Sequence, residues 1–214
     1  MVALGCAKRR RWTYRTRFSQ LLNGALRRGL AVSLSEASAI MMMRMPCFYC
    51  GTPAKLNIRS WWIDRWDNSK GYSLQNCVPC CSTCNMMKGS ECSSHKFVNK
   101  AITIAKFFGT EECISNGTRQ DAASIFRRYC KSAQNRKLRF ELSEADVKYL
   151  VGCCCFYCGN EKTGIDRLDN QVGYIRTNSV PCCWTCNRMK GKLGVEEFVY
   201  RCTRIAKRWT EAFE

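Results

Sequence analysis

Acidic residues are scarce in this 214-residue chain: 17 Asp and Glu stand against 35 Lys and Arg, a formal net charge of +18. That imbalance excludes nothing about fold, but it selects polyanions as partners, nucleic acid before membrane. Histidine is scarcer still, with His95 alone. Long apolar runs are missing too: none approaches the ~18 residues that span a bilayer. The apolar clusters near Met41–Cys50 and Val147–Cys158 are short and end in Cys-x-x-Cys pairs. No secretory signal is expected, because Met1–Gly5 passes at once into Lys8-Arg9-Arg10-Arg11. No acid precedes Glu36, while eight Lys and Arg do, so a targeting role for about the first dozen residues stays open.

Cysteine is what the chain has in excess, with 18. In a secreted chain that count reads as a disulfide framework; paired Cys-x-x-Cys spacing reads instead as thiolate metal ligation in a reducing compartment. Nucleus, cytoplasm and organelle are not distinguished. Cys47, Cys50, Cys81 and Cys84 form one set, and Cys155, Cys158, Cys183 and Cys186 a second. Four thiolates in two knuckles make a closed tetrahedral zinc site, which is structural in role. The choice of Cys81 over Cys80, and of Cys183 over Cys182, rests on the two-residue spacing, and Cys153 and Cys154 compete. Cys6, Cys77, Cys92, Cys113, Cys130 and Cys202 read as small buried apolar residues.

The chain reads as one unit written twice. Residues 18–51 align with residues 126–159 at an offset of 108, sharing Leu-Ser-Glu-Ala and Cys-Phe-Tyr-Cys-Gly. After the first knuckle the offset becomes 102, and Val-Pro-Cys-Cys, Cys-Asn and Lys-Gly recur. A boundary in the polar stretch 109–118 gives two domains, 1–108 and 109–214. Each unit is expected to run helix, helix, knuckle, β-hairpin, knuckle, helix, helix: an α+β fold of small zinc-stabilised units with flanking helices. Ser143-Glu144-Ala145-Asp146 looks like a capping box. The hairpin strands are expected at Ile165–Asn170 and around Gly173-Tyr174, and a helix near Cys186-Asn187. The final helix places Phe198, Cys202, Ile205 and Trp209 on one face.

Between the knuckles lies Ile165-Asp166-Arg167-Leu168-Asp169-Asn170-x-x-Gly173-Tyr174, followed by Asn178-x-Val180-Pro181-Cys182-Cys183-x-x-Cys186-Asn187-x-x-Lys190. This pattern, and less perfectly its first copy, resembles the HNH endonucleases of the ββα-metal class, most closely a branch found in phages and mobile elements. The resemblance implies phosphodiester cleavage with one divalent cation, Mg²⁺ or Mn²⁺. It assigns Asp166 and Asn187 as metal-binding residues and Asn178 as the brace of the active-site loop. The counterparts are Asp64, Asn85 and Asn76. The family's general-base histidine is replaced by Arg167 and Arg65, and arginine accepts no proton at working pH. Asp169 is the candidate base, on the face of the strand it would share with Arg167, and Arg167 a candidate phosphate clamp. A structural ion pair explains Asp-Arg-x-Asp nearly as well, and a helix N-cap explains Asn187.

Residues 1–108 hold 17 Lys and Arg against 4 acids, and residues 109–214 hold 18 against 13. The first half is therefore the stronger candidate for backbone binding. Arg9, Arg10, Arg11, Arg15 and Arg17, interleaved with Trp12 and Tyr14, suit phosphates and stacked bases, although a charge run is usually a solvated face. Trp61, Trp62 and Trp66 pack a core or alter an interface. DNA ranks ahead of RNA as partner. Two rivals stand beside the endonuclease reading: a non-catalytic zinc module binding DNA or RNA, as in a ribonucleoprotein such as a ribosome, and a zinc-stabilised protein-interaction scaffold. The spacing predicts two tightly held zinc equivalents per purified chain, and elemental analysis returning far fewer would overturn it.

Overall fold

The computed structural model describes residues 13–54, 61–90, 92–110, 122–161 and 164–211, and everything below concerns these. The fold is mixed α+β, with eight helices and two two-stranded sheets among the described residues. Packing sorts the chain into two compact units, Met1–Asn85 with Ser90–Ser94, and Met86–Gly89 with His95–Glu214. This division does not coincide with a boundary at 108/109.

In the first unit, α1 (Tyr14–Arg27) opens on Thr13, whose hydroxyl accepts from the Thr16 amide. The helix stops where Gly29 takes φ +64°, a left-handed turn that glycine adopts without strain. α2 (Glu36–Met42) opens on Ser35, which accepts from Ser38 N. β1 (Trp61–Arg65) pairs antiparallel with β2 (Cys77–Cys81), with Asp64 opposite Val78. α3 (Ser82–Lys88) follows directly. Trp61 is buried and its indole donates to Met45 O at 2.9 Å. Trp66 meets Phe48 edge to face. Packing thus accounts for both residues.

The helix that comes next in the chain, α4 (Ser94–Phe107), counts with the second unit from His95 on. There α5 (Ala122–Asn135) and α6 (Glu144–Gly152) lie over β3 (Gly164–Arg167). Ser143 and Asp146 form the capping box expected of them, worth about 1 kcal/mol for a serine cap. Leu142, Val147, Val151, Ile165 and Tyr174 build the core with Ala133. α7 (Trp184–Lys190) and α8 (Val195–Thr210) complete the unit, and α8 buries Phe198, Cys202 and Ile205 as its periodicity requires.

The hairpin differs from expectation in one respect. β3 pairs with β4 (Ser179–Cys182), with Ile165 opposite Pro181, and not with the Gly173-Tyr174 stretch. Residues 168–178 form a folded loop instead. Tyr174 leaves it to bridge Phe140, its amide donating to Arg139 O at 2.8 Å. The approach is so close that a Cβ on Gly173 would lie 2.1 Å from Arg139 O; Gly71 is as tight against Ala31 O, at 2.2 Å. Gly173→Ala is therefore expected to lower stability by about 1–3 kcal/mol or more. Gly194→Ala, where a Cβ meets nothing within 4 Å, should change it little. Urea denaturation of the two variants checks the contrast.

Candidate functional site

Each unit holds four buried cysteines whose sulfurs lie within 4.8 Å of one another: Cys47, Cys50, Cys81 and Cys84, and Cys155, Cys158, Cys183 and Cys186. Tetrahedral zinc with Zn–S near 2.3 Å requires sulfurs about 3.8 Å apart. Cys50 Sγ to Cys81 Sγ measures 3.9 Å, and Cys158 Sγ to Cys183 Sγ 3.7 Å. Both clusters could hold zinc. Cys80 and Cys182 stand outside them, their thiols donating to Cys81 O and Cys183 O at 3.3 Å. Cys153 and Cys154 are buried but belong to neither cluster. Cys202 is an ordinary buried thiol, pushed up to about 12 by burial.

The clusters also shape the backbone. Cys183 is the N-cap of α7, its sulfur accepting from Cys186 N at 3.4 Å, and Cys81 receives Cys84 N at 3.5 Å. α7 thus begins at Trp184, three residues before Asn187, and Asn187 is not a helix cap. Its Nδ2 points to Ile165 O, a long contact at 3.5 Å, which leaves its carbonyl oxygen available.

Asp166 is buried at the end of β3. Its Oδ2 accepts from Tyr157 OH at 3.0 Å and pairs with Lys190 Nζ at 3.2 Å. Lys190 is fully enclosed and also donates to Arg167 O at 2.9 Å. A buried carboxylate needs such partners, because uncompensated charge in a protein interior costs several kcal/mol. In the first unit, Asp64 Oδ2 accepts from Tyr49 OH at 2.6 Å, and Tyr49 OH also meets Ser94 Oγ at 2.7 Å. Burial and the nearby Asp64 carboxylate raise the Tyr49 phenol well above its usual range, so it stays a protonated donor. Tyr157 is held protonated in the same way by burial and Asp166. Lys190 and Tyr157 were not among the site residues that the sequence pattern singled out. The final Lys of that pattern was the only signal for Lys190.

Arg167 is buried, with its guanidinium 5.4 Å from the Tyr174 ring and Nη1 donating to Asn170 O and Val172 O. Arg65 does the same with Asn68 O and Lys70 O at 2.7 Å each. Both arginines therefore shape the loop. Asn178 ties the same loop together: its Oδ1 accepts from Asp169 N, and its Nδ2 donates to Asp169 O and Gly173 O. Asn76 makes the matching bonds to Asp67 and Gly71. Asn85 lies half-buried on α3.

Asp169 departs from expectation. β3 ends at Arg167, so Asp169 sits in the turn and does not share a strand face with it. Its Oδ1 accepts from Gln171 N at 2.8 Å, the local capping that aspartate favours in turns. Among the expected nucleic-acid contacts, Arg9, Arg10 and Arg11 lie outside the described residues. Arg15 is exposed and pairs with Glu36. Arg17 is buried, donates to Trp61 O at 3.1 Å and covers the Trp62 ring at 3.7 Å, so its guanidinium serves packing.

A hollow of about 570 Å³ opens beside this network in the second unit, walled by Asp166, Arg167, Asn187, Arg136 and Lys192 among others. A second hollow, of about 550 Å³, shares Arg136, Tyr174 and Asn187 with it and adds Arg128, Trp184 and Arg188. Together they carry five cationic side chains and one carboxylate, Asp166.

No family model matches the chain. It is 34% identical over 190 residues to an uncharacterised protein, R423, of Acanthamoeba polyphaga mimivirus; the match covers 85% of this chain and 35% of that one. The chain thus spans about a third of the length of that relative. Among solved structures it shows low similarity to the rare-cutting HNH restriction endonuclease PacI, with a TM-score of 0.36 and 17% identity over 51% of this chain and 89% of that one.

The buried Asp166–Lys190 pair sets a clear expectation. Lys190→Met strands a carboxylate and should cost about 3–5 kcal/mol, while adding Asp166→Asn should return much of it. Urea denaturation of the single and double variants at neutral pH measures the coupling.

Proposed function

We propose that the protein is a nucleic-acid-binding phosphodiesterase of HNH type, with its reactive pocket in the second unit. The supporting observation is that Asp166 and Asn187, the two residues matched to the metal positions, wall one strongly basic hollow. The donor set fits a hard divalent cation. Asp166 keeps Oδ1 outside its bonds to Tyr157 and Lys190, and Asn187 keeps its carbonyl oxygen. One carboxylate and one amide oxygen, completed by water and phosphate, suit Mg²⁺.

Bound there, the cation would neutralise charge on the phosphate and the leaving oxygen. The chain's own residues do the rest of the placing. Tyr157 and Lys190 lock the Asp166 carboxylate in one orientation. Arg136 and Lys192, both exposed on the rim, attract the phosphate backbone. Asn178 and Arg167 fix the loop that forms one wall. DNA is the proposed substrate, and Cys47, Cys50, Cys81, Cys84, Cys155, Cys158, Cys183 and Cys186 the proposed zinc ligands.

A second reading is a zinc module that binds nucleic acid without cutting it. Lys190 favours it, since its ammonium already compensates the Asp166 charge that a divalent cation would use. Arg167 favours it too, standing where a base would act.

A plasmid and RNA cleavage assay with Mg²⁺ or Mn²⁺ separates the two. The endonuclease reading expects metal-dependent nicking that falls by more than about a hundredfold in Asp166→Asn, a loss typical of removing a transition-state contact. Absence of nicking by folded, zinc-loaded wild type at high concentration would leave the binding module.

A further inference from the structure

The second of the two hollows carries features that cleavage does not call for. Trp184, on the first turn of α7, is 64% exposed. The Arg188 guanidinium lies 5.3 Å from its ring. Arg188 is anchored through Nη1 to Lys88 O at 3.0 Å, while its buried Nε meets no hydrogen-bond acceptor. Arg128 and Arg136 also line the hollow and are exposed, and no ion pair engages either among the described residues. The floor is made by Tyr129 and Tyr174, packed edge to face with centroids 5.5 Å apart.

We propose that this hollow is a subsite for one nucleotide of an unpaired nucleic-acid strand, its base laid on Trp184 and its phosphate held by Arg128, Arg136 and Arg188. The inference rests on the reading that the groove takes nucleic acid. An exposed indole beside one anchored and two exposed guanidiniums matches a base and a phosphate together. A base inside a duplex is already stacked on both faces and cannot lie on the indole.

The site is also specific to one half of the chain. By the sequence register, Arg128, Trp184 and Arg188 correspond to Gln20, Ser82 and Met86, while Arg136 corresponds to Arg28, whose guanidinium donates to Gly24 O and Tyr72 OH. Two of the three cations and the indole are thus replaced by neutral side chains. The first half has the larger net charge, yet it keeps only one of the groups from which this subsite is built. One strand subsite per chain follows.

The test is fluorescence anisotropy with a labelled oligothymidylate of roughly ten nucleotides, within the usual site size for single-strand binders, and no added divalent cation. Wild type should bind one oligonucleotide per chain. Trp184→Ala should weaken binding by about 5- to 100-fold without changing the salt dependence, as loss of one stacked base does. Arg128→Gln/Arg136→Gln should weaken it and flatten the log–log salt slope by about 1.4, two single-strand phosphate contacts. A duplex of the same length should be indifferent to Trp184→Ala. Zinc content and far-UV circular dichroism confirm that the variants fold. Unchanged affinity in Trp184→Ala, or an unchanged salt slope in the double variant, overturns the subsite. A chain that cuts duplex but shows neither effect loses this inference alone. A chain with both effects and no cleavage keeps the subsite and loses the nuclease.

Discussion

Sulfur geometry is the constraint on which the candidate site depends. In each unit two sulfurs come from the turn of a Cys-Phe-Tyr-Cys knuckle and two from the junction where the second strand becomes a helix. α3 and α7 have seven residues each, too few to persist in water on propensity. A closed tetrahedral ion at the start of α7 would supply what local preference cannot, since its binding free energy would be folding free energy. Asn187 and Lys190 both ride on that helix, so the polar network around Asp166 inherits its position from the cluster.

Around that anchor the interior departs from ordinary packing by enclosing charge. Asp166 and Lys190 are both buried and joined, with Tyr157 completing the carboxylate's bonds. An isosteric apolar pair would often be no less stable. Of the charged pair, Asp166 lines the basic hollow, whereas Lys190 is fully enclosed. The arginines after each aspartate answer a different need. They tie down loop carbonyls that no strand partner satisfies, which explains why an extended hairpin gives way to a folded loop at residues 168–178.

The sulfur clusters were legible because ligand spacing is a local property of sequence. The helices were legible through caps and apolar periodicity: Ser143 with Asp146, and the Phe198, Cys202, Ile205 face. The second strand was misplaced because Gly173-Tyr174 looks extended, whereas Tyr174 bridges Phe140 on a distant segment. Asp169 read as a strand residue for the same reason: nothing in the sequence shows that Arg167 and Asn178 fold the loop back after one residue. Lys190 was legible only as a letter in a pattern, because its partner lies 24 positions earlier in the chain. The groove was hidden in a further way. Its cations lie on α5 and on and just beyond α7, and totals taken over each half of the chain point away from them.

One small feature carries further. Cys183 is at once a member of the sulfur cluster and the cap that starts α7. Metal capture there would be coupled to the start of the helix that carries Trp184, Asn187 and Arg188. A chain without an ion there would start α7 on an unligated thiol, and oxidation of that one thiol would remove both the ligand and the cap. If the groove takes nucleic acid as proposed, its shape would depend on a metal whose cysteine ligands never touch what is bound.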